Sequence, residues 1–185
     1  MQKLFRLRPS VAALALGICY ASGALAGDCP AFLDHDFARL RSSEKVNLCK
    51  AYAGKPLLIV NTASHCGYTP QFKALEAVHE KYAPRGLVVV GFPSNDFHQE
   101  ADDAAETAEV CYGNYGVKFT MLAASAVKGA DANPVFRELG RQTQAPKWNF
   151  NKYLVKPDGT VAKYFDSTVT PDSPEFTRAI EALLK

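Results

Sequence analysis

The length and charge of the chain limit the classes of protein to which it can belong. Its 185 residues include 21 Lys and Arg and 19 Asp and Glu, and a chain of this length suits one domain with a single core. The first 26 residues hold three of the basic residues and no acidic one, so 18 basic and 19 acidic residues remain, a net charge of −1. This balance argues against a surface that binds nucleic acid or an anionic membrane.

The N-terminal residues have the pattern of a cleaved secretory signal. Three basic residues precede an uncharged apolar stretch, 11–21, which leads to Ala24-Leu25-Ala26, a typical cleavage sequence. The stretch is shorter than the roughly 20 apolar residues that a membrane span requires. We therefore predict a signal peptide over residues 1–26, one domain over residues 27–185, and an exported protein that is periplasmic or secreted and has no membrane anchor.

A strand, a helix and a second strand are predicted to follow one another in the first half of the domain. Residues 57–60 and 87–92 are short apolar runs rich in branched side chains, which are typical of strands buried on both faces. Between them, Thr69 as N-cap and Pro70 as first helical residue predict the start of a helix, and Gly86 predicts its end. Such a unit places its two strands in parallel.

The second half of the domain adds three helices, a hairpin and less regular segments. They are a helix over 101–110, a loop into a short extended piece over 114–119, a helix that Asn133-Pro134 opens and that runs to about Gln142, strands over 149–155 and 160–165 around the turn 156–159, and a last helix from Ser173-Pro174. The order of elements predicts an α/β fold with a mixed central sheet and helices on both faces.

Four cysteines follow the predicted signal: Cys29, Cys49, Cys66 and Cys111. Disulfides persist in exported proteins, and four cysteines allow three pairings. Cys29 and Cys49 stand close together near the start of the domain, where a bridge that closes a loop of roughly 20 residues contributes about 3 kcal/mol. We predict this structural bridge; the alternative is that one of the two reacts with Cys66.

Cys66 lies in the connection between the first predicted strand and the helix that follows it. Free backbone N–H groups and the positive end of the helix dipole stabilise a thiolate at such a turn, and the thiolate is the nucleophilic form. The neighbours His65 and Thr69 indicate a polar loop, although a buried and inert cysteine is the alternative. A Cys-x-x-Cys motif that starts at Cys66 would have its second cysteine at position 69, where this chain has Thr69. Cys66 therefore cannot take part in local dithiol exchange, but it can attack a peroxide and form a sulfenic acid.

The histidines do not indicate a metal site. The four are scattered, and none forms a close-spaced ligand pair with another histidine or cysteine. His65 could lower the pKa of the neighbouring thiol, but adjacent side chains often point apart, so we expect it to be exposed and non-catalytic.

Three sequence motifs resemble those of the glutathione peroxidase family. They are Asn61-Thr62-Ala63-Ser64 followed by Cys66-Gly67 and Thr69, then Gly91-Phe92-Pro93-Ser94-Asn95, then Trp148-Asn149-Phe150. The resemblance covers nearly all of the domain. It implies a thioredoxin-like fold, reduction of hydrogen peroxide or organic hydroperoxides, and no metal or bound organic cofactor.

The resemblance also implies which residues assist Cys66. The family surrounds its reactive residue with a Gln, a Trp and an Asn, and Trp148 and Asn149 match two of these; a tryptophan packed in the core is the alternative for Trp148. The Gln position falls on Asp96, whose charge would raise the pKa of a nearby thiol. Either Asp96 points away and Asn95 or Gln99 supplies the donor, or Asp96 is protonated, or activity is weaker than is typical.

Cys111 occupies the position of the resolving cysteine in the members of the family that depend on thioredoxin. The resemblance implies that it attacks the sulfenic acid of Cys66 and that local unwinding brings the sulfurs together, since a bridge needs Cα atoms within about 7 Å; a packed, inert helix cysteine is the alternative. The implied partners are a peroxide and a thioredoxin-like dithiol protein, or glutathione. A redox sensor or binding module with little turnover is the alternative function.

Overall fold

A five-stranded mixed sheet is the centre of the computed structural model, which describes residues 29–185. The strands are β1 (Asp36–Ala38), β2 (Lys45–Asn47), β3 (Leu57–Thr62), β4 (Val88–Pro93), β5 (Thr120–Met121), β6 (Lys152–Val155) and β7 (Val161–Phe165), and the helices are α1 (Leu48–Tyr52), α2 (Gln71–Tyr82), α3 (Ala104–Ala108), α4 (Pro134–Gln142) and α5 (Pro174–Leu183). The predicted signal peptide lies outside the described residues. Within them, no helix is long and apolar enough to cross a membrane.

The strand order β5-β4-β3-β6-β7 puts β3 at the centre of the sheet. β3 pairs in parallel with β4, as the strand–helix–strand pattern predicts, and antiparallel with β6. β4 pairs in parallel with β5, and β6 pairs antiparallel with β7. The predicted mixed sheet and C-terminal hairpin are therefore confirmed. β1 and β2 form a separate antiparallel pair.

Both faces of the sheet are covered, because successive side chains of β3 point to opposite sides. Leu58 and Val60 belong to one apolar cluster, together with side chains of α2 and α5, of which Phe72, Leu75, Phe176 and Ile180 are buried members. Leu57 and Ile59 belong to a second cluster, together with side chains of α1 and α4, of which Leu48, Val135, Phe136 and Leu139 are buried members. The predicted arrangement of helices on both faces is confirmed.

The start of α2 corrects one sequence prediction. Thr69 does not cap the helix: its hydroxyl donates to the carbonyl oxygen of Ala63 at 2.9 Å and accepts from the Cys66 N–H at 3.0 Å. Pro70 is the cap residue rather than the first helical residue, and it has no side-chain cap. The physical reason is competition for one hydroxyl, which here satisfies two backbone groups of the preceding loop instead of the helix end.

The helix predicted over 101–110 begins later and changes its winding. Asp103 caps α3, because its Oδ1 accepts from the Ala105 and Glu106 N–H groups at 2.7 and 2.8 Å. Beyond Ala108 the chain continues as a π-helical segment, Glu109–Asn114, which carries Cys111. A wider turn of this kind is rare and is found frequently at functional sites.

A disulfide fastens the N-terminal arm to the domain. Cys29 and Cys49 are bonded, with their Cα atoms 5.7 Å apart and a sequence separation of 20. Cys29 precedes a short 3₁₀ turn, Ala31–Leu33, and Cys49 lies in α1. The predicted structural bridge is confirmed, so neither Cys29 nor Cys49 has a free thiol.

We expect loss of this bridge to destabilise the domain without affecting its chemistry. The double substitution Cys29→Ser and Cys49→Ser should lower the free energy of unfolding by about 3 kcal/mol, because the unfolded chain regains the freedom of a closed loop. Urea denaturation measures this difference. A reductant should lower the midpoint of the wild type but not that of the variant, and equal stability of the two proteins would contradict the prediction.

Candidate active site

Cys66 lies between the carboxyl end of β3 and the N-terminus of α2, in a loop closed by its own hydrogen bonds. The Tyr68 N–H donates to Cys66 Sγ at 3.4 Å, and the Cys66 N–H donates to Thr69. The side chain is 7% exposed, so the sulfur is more enclosed than a polar loop predicts. A backbone donor aimed at the sulfur beside a helix N-terminus stabilises negative charge there.

The sulfur of Cys66 has no side-chain donor in this structure. Within residues 29–185, the Tyr68 N–H is the only hydrogen-bond partner of Sγ. Trp148 and Asn149 therefore do not bind the sulfur directly, although the resemblance implies that they do. Cys66, Cys111 and Phe150 do belong to the same apolar cluster.

The segment 148–151 is held beside the end of β3 by Asn61. The Asn61 side chain donates to the Trp148 carbonyl oxygen at 3.0 Å and accepts from the Asn151 N–H at 3.0 Å. The Phe150 N–H donates to the Asn61 carbonyl oxygen at 2.7 Å, and Phe150 has a left-handed backbone with φ of 61°. This turn explains why β6 begins at Lys152 rather than at 149 as predicted.

Trp148 lies at the surface, so its interpretation as a core tryptophan is wrong. It is 40% exposed, and its ring packs against Phe97 with 5.4 Å between ring centroids. The Lys128 ammonium lies 4.3 Å from the centre of the Phe97 ring. Trp148 also borders an open cleft of about 290 Å³, whose other lining residues are Tyr68, Lys147, Asn151, Asp166, Ser167 and Thr168.

Asn149, in contrast, is fully buried. Its Nδ2 donates to Gln99 Oε1 at 3.1 Å, and its carbonyl oxygen accepts from the Ser167 hydroxyl at 2.6 Å. The Gln99 carbonyl oxygen accepts from the His65 N–H at 2.8 Å. Gln99 therefore connects Asn149 to the residue that precedes Cys66.

The side chain of Asp96 binds backbone groups outside the cysteine loop. Its Oδ2 accepts from the Val127 and Lys128 N–H groups at 2.6 and 3.0 Å. Of the alternatives for this position, the structure supports the one in which Asp96 points away, and it favours Gln99 over the exposed Asn95 as the amide near Asn149. The left-handed backbone at His98, with φ of 56°, turns the chain between Asn95 and Gln99.

Cys111 is a fully buried free thiol. Its Sγ donates to the Ala108 carbonyl oxygen at 3.8 Å, within its own helix. Burial raises the pKa of the Cys111 thiol to about 12, since a thiolate loses its hydration there. Cys111 is thus protonated and protected in this conformation, and it must move before it can react.

His65 and the other polar residues nearby do not form a metal site. The His65 side chain is 53% exposed, as predicted, and its Nε2 lies 3.1 Å from Glu106 Oε1. Among residues 29–185, no three His, Cys, Asp or Glu side chains are grouped closely enough to hold a metal ion.

Sequence reasoning missed a buried carboxyl group that lies between the two free cysteines along the chain. Glu100 is 6% exposed and accepts hydrogen bonds from the hydroxyls of Ser64 and Thr107. No local pattern marks it, because a glutamate in a polar stretch normally faces water. Its proximity to Asp102 and Asp103 in sequence makes the stretch read as a solvated surface.

Comparison with known proteins identifies the class and the family. The family model described as "Glutathione peroxidase" matches residues 34–140. The glutathione peroxidase-like peroxiredoxin GPX5 of Chlamydomonas reinhardtii is 46% identical over 141 residues, which cover 72% of this chain and 87% of that protein. The glutathione peroxidase of Lactococcus lactis is 38% identical over 147 residues, which cover 76% of this chain and 94% of that protein.

Solved structures agree with the sequence comparison. The apo crystal structure of Trgpx superposes with a TM-score of 0.65 and 31% identity, covering 83% of this chain and 95% of that one. A thiol:disulfide interchange protein of the thioredoxin family from Chlorobium tepidum superposes with a TM-score of 0.62, covering 82% of this chain and 93% of that one. At 13% identity, the second match shows the fold alone.

The molecule is thus an α/β protein of the thioredoxin-like class with a cysteine at the first strand-to-helix turn. Within that class, the chain belongs to the glutathione peroxidase family. It is therefore an oxidoreductase, specifically a peroxidase. Both statements confirm what the three sequence motifs imply.

Lys152 is a fully buried lysine that binds the backbone next to Asn149's partner Ser167. Its Nζ donates to the carbonyl oxygens of Asp166 and Val169 at 3.1 and 2.6 Å. These carbonyls flank Ser167, which binds the backbone of Asn149. Burial lowers the pKa of Lys152 to about 7, although the nearby Asp166 carboxylate opposes this shift.

We expect Lys152 to make the stability of the domain depend on pH. Because the folded pKa is about 7 and the unfolded pKa about 10.5, the unfolded state binds more protons between these values, and the contribution of Lys152 to stability rises with pH across this window. Lys152→Met cannot titrate. The difference in free energy of unfolding, wild type minus variant, should therefore increase as urea denaturation is repeated from neutral to alkaline pH; a difference independent of pH would contradict this.

Proposed function

We propose that the chain reduces hydroperoxides in a cycle of two cysteines. The Cys66 thiolate attacks one oxygen of the hydroperoxide and the O–O bond breaks, which leaves a sulfenic acid on Cys66. The departing hydroxide or alkoxide takes up a proton from solvent, in balance with the proton that the thiol lost on ionisation, and leaves as water or an alcohol. The Cys111 thiol then displaces the hydroxyl as water and forms a Cys66–Cys111 disulfide. A dithiol protein of the thioredoxin type returns both cysteines to thiols by disulfide exchange.

One observation carries this proposal. Among residues 29–185, the cysteines divide into a bonded pair, Cys29 and Cys49, and two free thiols, Cys66 and Cys111, that share one apolar cluster. The bonded pair cannot resolve Cys66 without first losing its own bridge, so Cys111 is the available second thiol. Its place in a π-helical segment supports a role that requires unwinding.

The neighbouring amide and indole groups support the peroxidatic step. Asn149 and Trp148 can donate hydrogen bonds to a bound peroxide without adding charge, which suits a reaction that moves negative charge from sulfur to oxygen. Gln99 positions Asn149 through their amide-to-amide hydrogen bond. Trp148 is exposed and accessible to a peroxide, whereas Asn149 is fully buried and donates to Gln99, so in this proposal Asn149 reaches the peroxide only after the site opens. The sulfur accepts only the Tyr68 N–H before that.

We also propose that the protein is exported and works with a thioredoxin-like dithiol rather than with glutathione. The signal pattern of residues 1–26 and the Cys29–Cys49 bridge support export, since such bridges persist in oxidising compartments. A resolving cysteine supports a dithiol partner, because its product is a protein disulfide.

Single substitutions of the two free cysteines should separate the steps of the cycle. Cys66→Ser should abolish peroxide consumption with a thioredoxin system, because a serine hydroxyl is not ionised at neutral pH and cannot attack the peroxide. Cys111→Ser should consume one equivalent of peroxide and then stop with a sulfenic acid on Cys66. Mass spectrometry and consumption of NADPH by the coupled reductase measure both outcomes.

The same experiment discriminates an enzyme from a redox sensor. Sustained turnover by the wild type supports the peroxidase, whereas oxidation that stops after one equivalent in the presence of an active thioredoxin system supports the sensor. Sustained turnover by Cys111→Ser would contradict the resolving role of Cys111, and a Cys66 disulfide with Cys29 or Cys49 in the oxidised wild type would do the same.

Gln99 and Asp96 should differ in their effect on the first step. Gln99→Ala leaves buried Asn149 without its partner, and the resulting displacement should slow oxidation of Cys66 by roughly 10- to 100-fold. Asp96→Asn keeps an oxygen for the Val127 and Lys128 N–H groups and should leave the rate unchanged. Stopped-flow measurement of oxidation by peroxide compares the two variants; equal slowing of both would contradict the predicted difference, and slowing of Asp96→Asn alone would show that Asp96, not Gln99, assists the thiol.

A further inference from the structure

Glu100 is a buried carboxyl group to which the proposed cycle assigns no role. Its Oε1 accepts three hydrogen bonds: from the Ser64 hydroxyl, from the Ala101 N–H at 2.8 Å and from the Thr107 hydroxyl at 3.1 Å. Its Oε2 is buried and has no partner. Burial raises the pKa of this carboxyl group, so the hydrogen bonds at Oε1 form in a protected, poorly hydrated place.

The two hydroxyl partners of Glu100 belong to the two cysteine segments. Ser64 stands two residues before Cys66, and Thr107 stands four residues before Cys111. Thr107 lies in α3, and the π-helical segment that carries Cys111 follows it directly. One carboxyl group thus connects the residues just before Cys66 to the residues just before the segment that must unwind.

This connection limits how far apart the two sulfurs can move. An extended chain spans at most about 3.6 Å per residue, so unwound residues 108–111 can carry Cys111 no more than roughly 14 Å from Thr107. While Thr107 stays bound to Glu100, the Cys111 thiol searches a small volume around Ser64 and Cys66. A short tether of this kind raises the effective concentration of one group at the other.

We propose that Glu100 is a positioning residue for the second step of the cycle. By binding Thr107 it holds the N-terminal end of the Cys111 segment beside the Cys66 loop, so that only residues C-terminal to Thr107 unwind. The inference rests on the proposed function, since it requires Cys111 to resolve Cys66. In the step that it assists, the S–O bond of the sulfenic acid breaks and an S–S bond forms. Cys66 is reduced, Cys111 is oxidised, and the thiol proton leaves with the hydroxyl as water.

Thr107→Val tests the anchor with the least disturbance, because it removes one hydroxyl and keeps the size of the side chain. We expect the sulfenic acid to form at the wild-type rate and the Cys66–Cys111 disulfide to form about tenfold more slowly, as the tether loosens. Full-length protein with free Cys66 and Cys111 thiols and an intact Cys29–Cys49 bridge is mixed with one equivalent of hydrogen peroxide and quenched at intervals with a thiol-blocking reagent. Mass spectrometry then measures the thiol, sulfenic acid and disulfide forms.

Thr120→Val is the matched control. Thr120 is also a buried threonine, its hydroxyl lies 2.6 Å from the Tyr52 hydroxyl, and it belongs to β5 rather than to either cysteine segment. Both rates should equal those of the wild type. Glu100→Gln, which keeps an oxygen acceptor for Ser64 and Thr107, should retain more of the second rate than Glu100→Ala does.

The outcomes separate the anchor from the cycle itself. If the wild type forms no Cys66–Cys111 disulfide, the second step of the proposed function fails. If the wild type forms it and Thr107→Val forms it as fast or faster, the anchor is overturned and the cycle stands. Equal slowing of both steps in Thr107→Val would also overturn the anchor, because it would indicate a general loss of structure.

Discussion

The site depends on the hydrogen bonds of Asn61 at the end of the central strand. This residue follows a run of fully buried apolar side chains, and its own side chain is fully buried. It binds the backbone at Trp148, Phe150 and Asn151, which lies far away in sequence. A buried amide must find partners, and here its partners are the backbone groups of the third motif and of Asn151, so the Cys66 loop and the Trp148-Asn149 turn are held to one strand end.

The protein protects its thiols in two different ways. Cys66 is buried but lies at a helix N-terminus with a backbone donor on its sulfur, an arrangement that stabilises negative charge there without any change in the fold. Cys111 is fully buried, and its thiol is held protonated by its apolar surroundings. In the proposed cycle this difference sets an order of events, because Cys111 would become a nucleophile only after its π-helical segment opens.

Most strands, the larger helices and the bridge could be predicted because their causes are local. The branched apolar run before Asn61 predicts a buried strand, and Asn133 and Ser173 cap their helices as predicted, with side-chain oxygens on the Phe136 and Phe176 N–H groups. The sequence pattern does not predict the role of Thr69 correctly, because its hydroxyl can cap the helix or bind the preceding loop, and the loop that returns to Ala63 decides between the two. The π-helical winding around Cys111 has no sequence signature of this kind.

The sequence by itself determined the family and the α/β order of elements and predicted Cys66 as the reactive cysteine, since these inferences follow from residue types at short spacing. Only the tertiary structure decided that Asp96 faces Val127 and Lys128, that Gln99 meets Asn149, and that Glu100 joins the two cysteine segments. Each of these contacts links residues whose proximity depends on chain reversals and packing elsewhere. A carboxylate and an amide read alike as surface residues until the fold places them in the interior.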